Sequence, residues 1–261
     1  MRKLFRAIKD KIIGGGEIVS GLIGEYSSWE AAEAECRGYD SDLIYQKAIN
    51  AAWAVRKGEA VYERDTFLFY EKAYNYRLVA HINKALADSK SGCKEVVDFG
   101  GSFGSTYWQN KDILPRDIRW VVVEQRHFYE YGKEHFEDGH LSFAYPIDKI
   151  TSNTCVLCSG VLQYIRDYKN ILDTLFEKEF EYIIIERTAV SDKEWICKQI
   201  ERVIYDAEYP RYIFKEEELV GYFIAAGYVL IDSYSSMVDP AIQQINNRNV
   251  YSKCFVFKKS E

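Results

Sequence analysis

The chain has 261 residues, 48% hydrophobic and 28% charged, with a formal net charge of −6. That size and balance suit one α/β domain with an extension, or two small domains, and exclude a disordered or fibrous chain. Scattered Lys and Arg under a net negative charge argue against nucleic acid as a partner, and no apolar run reaches the roughly eighteen residues that span a bilayer.

Residues 1–13 read as a short basic amphipathic helix ended by Gly14-Gly15-Gly16. Leu4, Phe5, Ile8 and Ile12 share one face, with Arg2, Lys3, Arg6 and Lys11 around it. Such a segment either attaches at an anionic membrane surface, here the inner face, or docks on its own domain. No apolar stretch with a cleavage site follows the charged start, so a cytoplasmic protein is expected. Ser28 is placed to cap a helix from Trp29 to Cys36. A second helix covers 42–57, with Leu43, Ala48, Ile49, Ala52 and Val55 as candidate core, and a third covers 70–87. Between them lies the linker Ala60-Val61-Tyr62-Glu63-Arg64-Asp65. Residues 1–90 are thus expected as a helical cap over an α/β domain at 91–261.

From Lys94 onward, strand and helix patterns alternate. Strands are expected at 95–99, 119–124, 140–144, 154–158, 181–187, 227–234 and 252–258, and helices at 105–113, 126–138, 161–177, 192–206 and 215–226. The fold class this implies is α/β and Rossmann-like: a seven-stranded, mostly parallel sheet with helices on both faces. The six cysteines read as reduced thiols of a chain too large to need stapling. Cys155 and Cys158 form a CxxC, but in a strand residues three apart face opposite sides, and no second pair completes a metal site.

The stretch Val96-Val97-Asp98-Phe99-Gly100-Gly101-Ser102-Phe103-Gly104-Ser105-Thr106 turns a buried strand sharply into a helix. Glycines there let a ligand approach the backbone, and the helix start offers unpaired N–H groups. The dinucleotide pattern wants Gly at the first, third and sixth positions; counted from Gly100, Ser102 and Ser105 fill the third and sixth. The pattern acidic-x-Gly-x-small-x-Gly fits instead, on Asp98, Gly100, Ser102 and Gly104. An acidic residue two before the first Gly suits a cofactor with an ammonium group and no phosphate, such as S-adenosylmethionine, with S-adenosylhomocysteine as product. Glu124 ends the next strand about twenty residues later, where a carboxylate accepts ribose hydroxyls.

Ligands of such sheets bind beyond the carboxyl ends of the strands, which turns the strand list into a site list. It contains Gly100 to Thr106 (with Gly101, Ser102, Gly104 and Ser105), Glu124 and Gln125. Tyr145 and Ile147 are placed to flank an adenine. Ser159, Gln163 and Tyr164 follow strand four, and Glu186, Arg187 and Thr188 follow strand five. A hydroxyl acceptor must also lose a proton to a base. His81, His127 and Glu186 are the candidates, Glu186 being equally readable as an ion-pair partner of Arg187, and the base stays open.

Several segments together resemble the S-adenosylmethionine-dependent methyltransferases encoded in bacterial O-antigen and capsule biosynthesis loci. They are Gly24 to Ala32, Gly38-Tyr39-Asp40, Ala60 to Asp65, Asp98 to Tyr107, Val122 to Gln125, Ser159 to Tyr164, Glu186-Arg187-Thr188 and Tyr205 to Pro210. The resemblance runs over most of residues 20–235. It implies a class I methyltransferase fold and an acceptor hydroxyl on a sugar or sugar-linked group, in capsule or lipopolysaccharide biosynthesis. It also implies that Tyr62 and Arg64 belong to a cap facing the site, with Gln163, Tyr164, Arg187 and Tyr209 near the acceptor. An arginine so placed suits the phosphate of a nucleotide-linked sugar. Cys158-Ser159-Gly160 departs from the paired serines of that family.

Two other readings compete. An NAD-dependent sugar oxidoreductase or epimerase needs a Tyr-x-x-x-Lys pair, and from Tyr164 the fourth position on is Tyr168, with Lys169 one late. A non-catalytic S-adenosylmethionine-binding protein would keep the fold without turnover.

Overall fold

The computed structural model describes residues 12–13, 17–18, 20–37, 41–202, 206–239 and 242–260. Residues 1–11 of the expected basic helix, the Gly38-Tyr39-Asp40 segment and Tyr205 lie outside the described residues. Ile12–Ile13 (β1) is not helical but pairs antiparallel with Glu17–Ile18 (β2).

The segment before residue 90 combines strands with helices. Ser20–Tyr26 (β3) leads into Trp29–Ala34 (α1), whose N-terminus is capped as expected by Ser28 Oγ, accepting from Ala31 N at 3.2 Å. Ser41–Arg56 (α2) follows. The expected linker is a hairpin, Tyr62–Arg64 (β4) and Phe67–Phe69 (β5), with Tyr62 stacked on Phe69 at 4.5 Å between ring centroids. The third helix, Tyr76–Asp88 (α3), begins six residues later than the pattern suggested. Asn75 sets that start, its Oδ1 accepting from Leu78 N at 3.3 Å.

The α/β domain runs through Glu95–Phe99 (β6), Ser105–Asn110 (α4), Arg119–Val123 (β7), Arg126–His135 (α5), Leu141–Ala144 (β8) and Cys155–Ser159 (β9). It continues with Tyr168–Glu177 (α6), Tyr182–Ser191 (β10), Trp195–Glu201 (β11), Ala207–Lys215 (β12), Glu216–Ala225 (α7), Tyr228–Ser235 (β13), Ile242–Ile245 (β14) and Arg248–Lys259 (β15). Across the sheet the order is β8-β7-β6-β9-β10-β15-β13. The first five strands are parallel, and β15 runs antiparallel to both β10 and β13. This is the expected Rossmann-like class I methyltransferase sheet, with its reversal of strand order between β6 and β9. Alternate residues feed opposite layers: Val96 and Cys155 pack in one core with Leu78, Trp120 and Phe136, while Val97 and Cys158 pack in the other with Leu172, Phe223 and Phe255.

Among the described residues of the helix expected over 192–206, Trp195–Glu201 is a strand instead; residues 203–205 lie outside the described residues. β11 pairs antiparallel with β12 from Trp195↔Ile213 to Glu201↔Ala207, and with β3 on its other side. Both faces are covered: Cys197 packs with Ala189 and Ile213, and Ile196 with Trp29 and Ala32. Burial on both faces removes the alternation that would mark a strand in sequence. Strand β10 overruns its expected end to Ser191 and pairs with β12 at Val190↔Phe214 and Ser191↔Lys215. Through β12 and β11, the N-terminal strand β3 therefore joins the same sheet. Pro210 is tolerated inside β12 because it lies opposite Lys198 of β11, outside the two-residue register with β10.

Candidate active site

The loops after β6 and β9 and the irregular middle of β10 around Arg187 touch one another at the reversal point. Gly100 has φ +75°, and a Cβ there would meet Val161 Cγ2 at 2.5 Å. At Gly160, φ +68°, a Cβ would stand 3.3 Å from Arg187 Nη1. Glycine is required at both because the backbone is left-handed and neighbouring side chains fill the space. Gly101 would likewise put a Cβ into the Asp98 carboxylate. Gly104, left-handed at φ +86°, precedes α4, whose first turn carries Ser105 and Thr106.

Beneath this turn Asp98 is 1% exposed. Its Oδ2 accepts from Trp120 Nε1 at 3.0 Å, whereas Oδ1 is buried without a partner. Burial pushes its pKa up to about 7, helped by the nearby Glu124 and Glu186 charges. Glu124, half-buried at the tip of β7, accepts from Ser102 N at 3.1 Å and from Gln125 N at 2.9 Å. It thereby ties the glycine turn to the neighbouring strand end. Ser102 itself is left-handed, φ 54°. Tyr145 is exposed beyond β8, beside Tyr129, and Ile147 follows in a short 3₁₀ turn. Ser159 ends β9 in register with Glu186.

On the acceptor side the structure redistributes the expected roles. Glu186 does not pair with Arg187: it is 3% exposed and accepts from Asn75 Nδ2 at 3.1 and 3.2 Å and from Tyr234 OH at 3.1 Å. Enclosed this way, its carboxyl is pushed above the ordinary range by burial, and it ties the start of α3 to β13. Arg187 instead binds Asp239, Nε to Oδ2 at 3.2 Å, and Asp65, Nη2 to Oδ2 at 2.6 Å. Gln163 Nε2 donates to the Arg187 carbonyl at 3.0 Å, and its Oε1 is buried with no partner. Thr188 bonds back to the Glu186 carbonyl.

Tyr62 is 1% exposed, its ring stacked on Phe69 within the hairpin. Arg64 covers that ring at 5.6 Å and donates to Gln109 Oε1 of α4 at 3.0 Å. Tyr164 and Tyr209 do come together, rings 5.5 Å apart, with Gln199 between their hydroxyls: its Oε1 accepts from Tyr164 OH at 2.9 Å and its Nε2 donates to Tyr209 OH at 2.9 Å. Arg211 Nη1 donates to the same Gln199 oxygen at 2.8 Å. The histidines lie elsewhere. His81 Nε2 bonds Asp232 at 2.7 Å under Tyr234, and His127 is exposed against Tyr45.

Several polar residues of this region escaped the sequence reading. Glu63, 6% exposed, accepts from Ser105 Oγ at the start of α4 and from Thr66 N at 3.1 Å; burial pushes its pKa up to about 7. Asp65, Asp239, Gln199 and Arg211 were also missed. Glu63 and Asp65 stood beside the chosen Tyr62 and Arg64, on the other face of a two-residue alternation. Gln199 and Arg211 lay in stretches whose strand pairing was unrecognised.

No family model matches this chain, and no curated protein is similar to it. Among solved structures, the 1,6-didemethyltoxoflavin-N1-methyltransferase of Burkholderia thailandensis is similar at 12% identity and a TM-score of 0.41, over 96% of this chain and 98% of that one. An S-adenosylmethionine-dependent methyltransferase from Clostridium acetobutylicum is 10% identical, TM-score 0.46, over 83% and 99%. CalS10, an amino pentose methyltransferase from Micromonospora echinaspora, is 11% identical, TM-score 0.45, over 81% and 96%. These are likenesses of fold; the strand order above stands without them.

Proposed function

We propose that this chain is an S-adenosylmethionine-dependent methyltransferase acting on a hydroxyl of a sugar or sugar-linked group, in the making of a bacterial surface polysaccharide. One observation carries the cofactor reading: a buried carboxylate with an orphaned oxygen, Asp98, lies directly under a glycine turn at the point where the strand order reverses. An unpartnered buried carboxylate oxygen is costly unless a cation or donor comes to it, and an amino-acid ammonium is such a group. Glu124, one backbone N–H on each oxygen, keeps lone pairs for ribose hydroxyls. The residues present therefore fit the cofactor.

When bound, the sulfonium supplies an already activated methyl group. The chain's own residues have to align the acceptor and keep water out. Val161 packs against Gly100 and Arg187 against Gly160, so neither glycine has room for a larger side chain. Gln163 offers a buried amide oxygen, and Tyr164, Gln199, Tyr209 and Arg211 form a connected polar and aromatic wall suited to a polyhydroxylated acceptor. The sugar reading is further supported by the sequence resemblance.

Calorimetric titration with S-adenosylhomocysteine and with NAD tests the cofactor. The first should bind and the second should not; NAD binding without S-adenosylhomocysteine overturns the proposal. Offering nucleotide sugars with the methyl donor then separates an enzyme from a binding protein, which would hold the cofactor and never consume it.

A further inference from the structure

The hairpin β4–β5 turns through Asp65 and Thr66, at φ 51° and 68°. Two consecutive left-handed residues make the tight turn for which Asn-Gly is the usual pair, since a Cβ, above all a branched one, is strained there. This chain keeps Asp-Thr, and both residues are held by side-chain bonds. Glu63 accepts from Thr66 N, and Asp65 grips Arg187 through both guanidinium ends, at 2.6 and 3.4 Å. Arg187 is itself left-handed, φ 56°, at an irregularity in the β10–β15 register. Both partners of one ion pair thus sit in left-handed backbone conformations that residues other than glycine seldom adopt.

The two carboxylates on Arg187 differ in kind. Asp239 is anchored by the hydroxyls of Ser236 and Ser252, at 3.3 and 3.1 Å, and takes the Nε edge. Asp65 stands at the hairpin tip with its side chain 55% exposed and takes the outer fork. Arg64 adds a second guanidinium whose proton is held less tightly because of burial and the nearby Arg187 charge. The fork also lies against Gly160, where the loop after β9 meets the crevice.

We infer that Asp65 occupies, from within the chain, the anion subsite of the acceptor, so that the outer fork of Arg187, backed by Arg64, receives a phosphate or carboxylate of the acceptor once the hairpin carboxylate gives way. This rests on the acceptor-side reading proposed above and names the class of acceptor. A guanidinium fork takes two oxygens of a carboxylate or a phosphate in the same way, so Asp65 and the acceptor's oxyanion exclude each other. Asp239, anchored by two serines, stays and orients Arg187. The tethered carboxylate competes at high effective concentration. Apparent affinity for the incoming anion is then reduced to the fraction of time the fork stands open.

The full chain and Asp65→Asn are titrated calorimetrically, with S-adenosylhomocysteine present, against inorganic phosphate, D-glucuronate and, as neutral control, D-glucose. Asp65→Asn should bind at least one of the two anions about tenfold more tightly, with no gain for glucose. The gain should shrink with added salt and vanish in Asp65→Asn/Arg187→Gln. Phosphate as the winner points to a phosphate-linked acceptor, glucuronate to a uronate. Equal affinities in the two proteins, or a gain that survives Arg187→Gln, overturn the inference. Asn suits the left-handed turn; Asp65→Gly is the second variant, and the melting curve of each reports its folding. The heat of S-adenosylhomocysteine binding, read in the same proteins, tests the cofactor assignment separately. Its absence defeats that assignment, whereas its presence with no anion effect defeats only this inference.

Discussion

Trp120 Nε1 donates to Asp98 Oδ2 at 3.0 Å across two neighbouring parallel strands, leaving the other carboxylate oxygen buried and unpartnered. The indole holds the carboxylate in place without neutralising it. A pKa raised to about 7 against an ordinary value near 4 means that the folded chain binds a proton that the unfolded chain releases. Stability from this group is therefore complete below about pH 4 and is lost as pH rises toward about 7. A ligand ammonium would favour the ionised form, so S-adenosylhomocysteine should bind more tightly at pH 8 than at pH 6. Asp98→Asn should bind weakly at both. Calorimetry at the two values checks this, and a wild-type affinity that falls with pH contradicts it.

Glu63 joins the hairpin to α4 through Ser105, and its pKa is raised in the same direction by burial. Glu63→Gln should flatten part of the stability loss between about pH 4 and 7, because Gln carries no titrating proton. Glu63→Ala should cost about 1–3 kcal/mol by orphaning the Thr66 amide and the Ser105 hydroxyl. Urea unfolding at pH 5 and pH 8 distinguishes the two variants.

If Glu186 is a brace and not the base, Glu186→Ala should destabilise the fold by about 1–3 kcal/mol for each donor it strands, Asn75 Nδ2 and Tyr234 OH. Glu186→Gln, which can still accept a hydrogen bond, should keep most methyl transfer. Loss of turnover in the Gln variant at unchanged melting temperature would return Glu186 to the chemistry.

Gly100→Ala should destabilise by about 1–3 kcal/mol through its left-handed backbone and the contact with Val161. Val161→Ala in the same chain should recover only part of the contact, since its Cβ still stands 2.9 Å away and the backbone conformation is unrelieved. Thermal melts of the single and double variants check the split.

Sequence alone determined the strands β6 to β9, the glycine turn and the carboxylates at its two strand tips. Each is local: a strand's apolar run, a turn's small residues and a charge at a strand end lie within a few residues of one another. It also placed Ser28 at its cap, since a capping side chain reaches only three residues. What it misread was set by partners far along the chain. Within the stretch 192–206, Trp195–Glu201 becomes strand because β12 and β3 cover its edges and two separate cores cover its faces. Arg187 takes Asp65 and Asp239, not its neighbour Glu186, because its left-handed backbone breaks the strand there and Glu186 is held by Asn75 and Tyr234. Tyr62 is buried against Phe69 while Asp65 reaches Arg187, and only the folded hairpin decides which neighbour each of its residues meets.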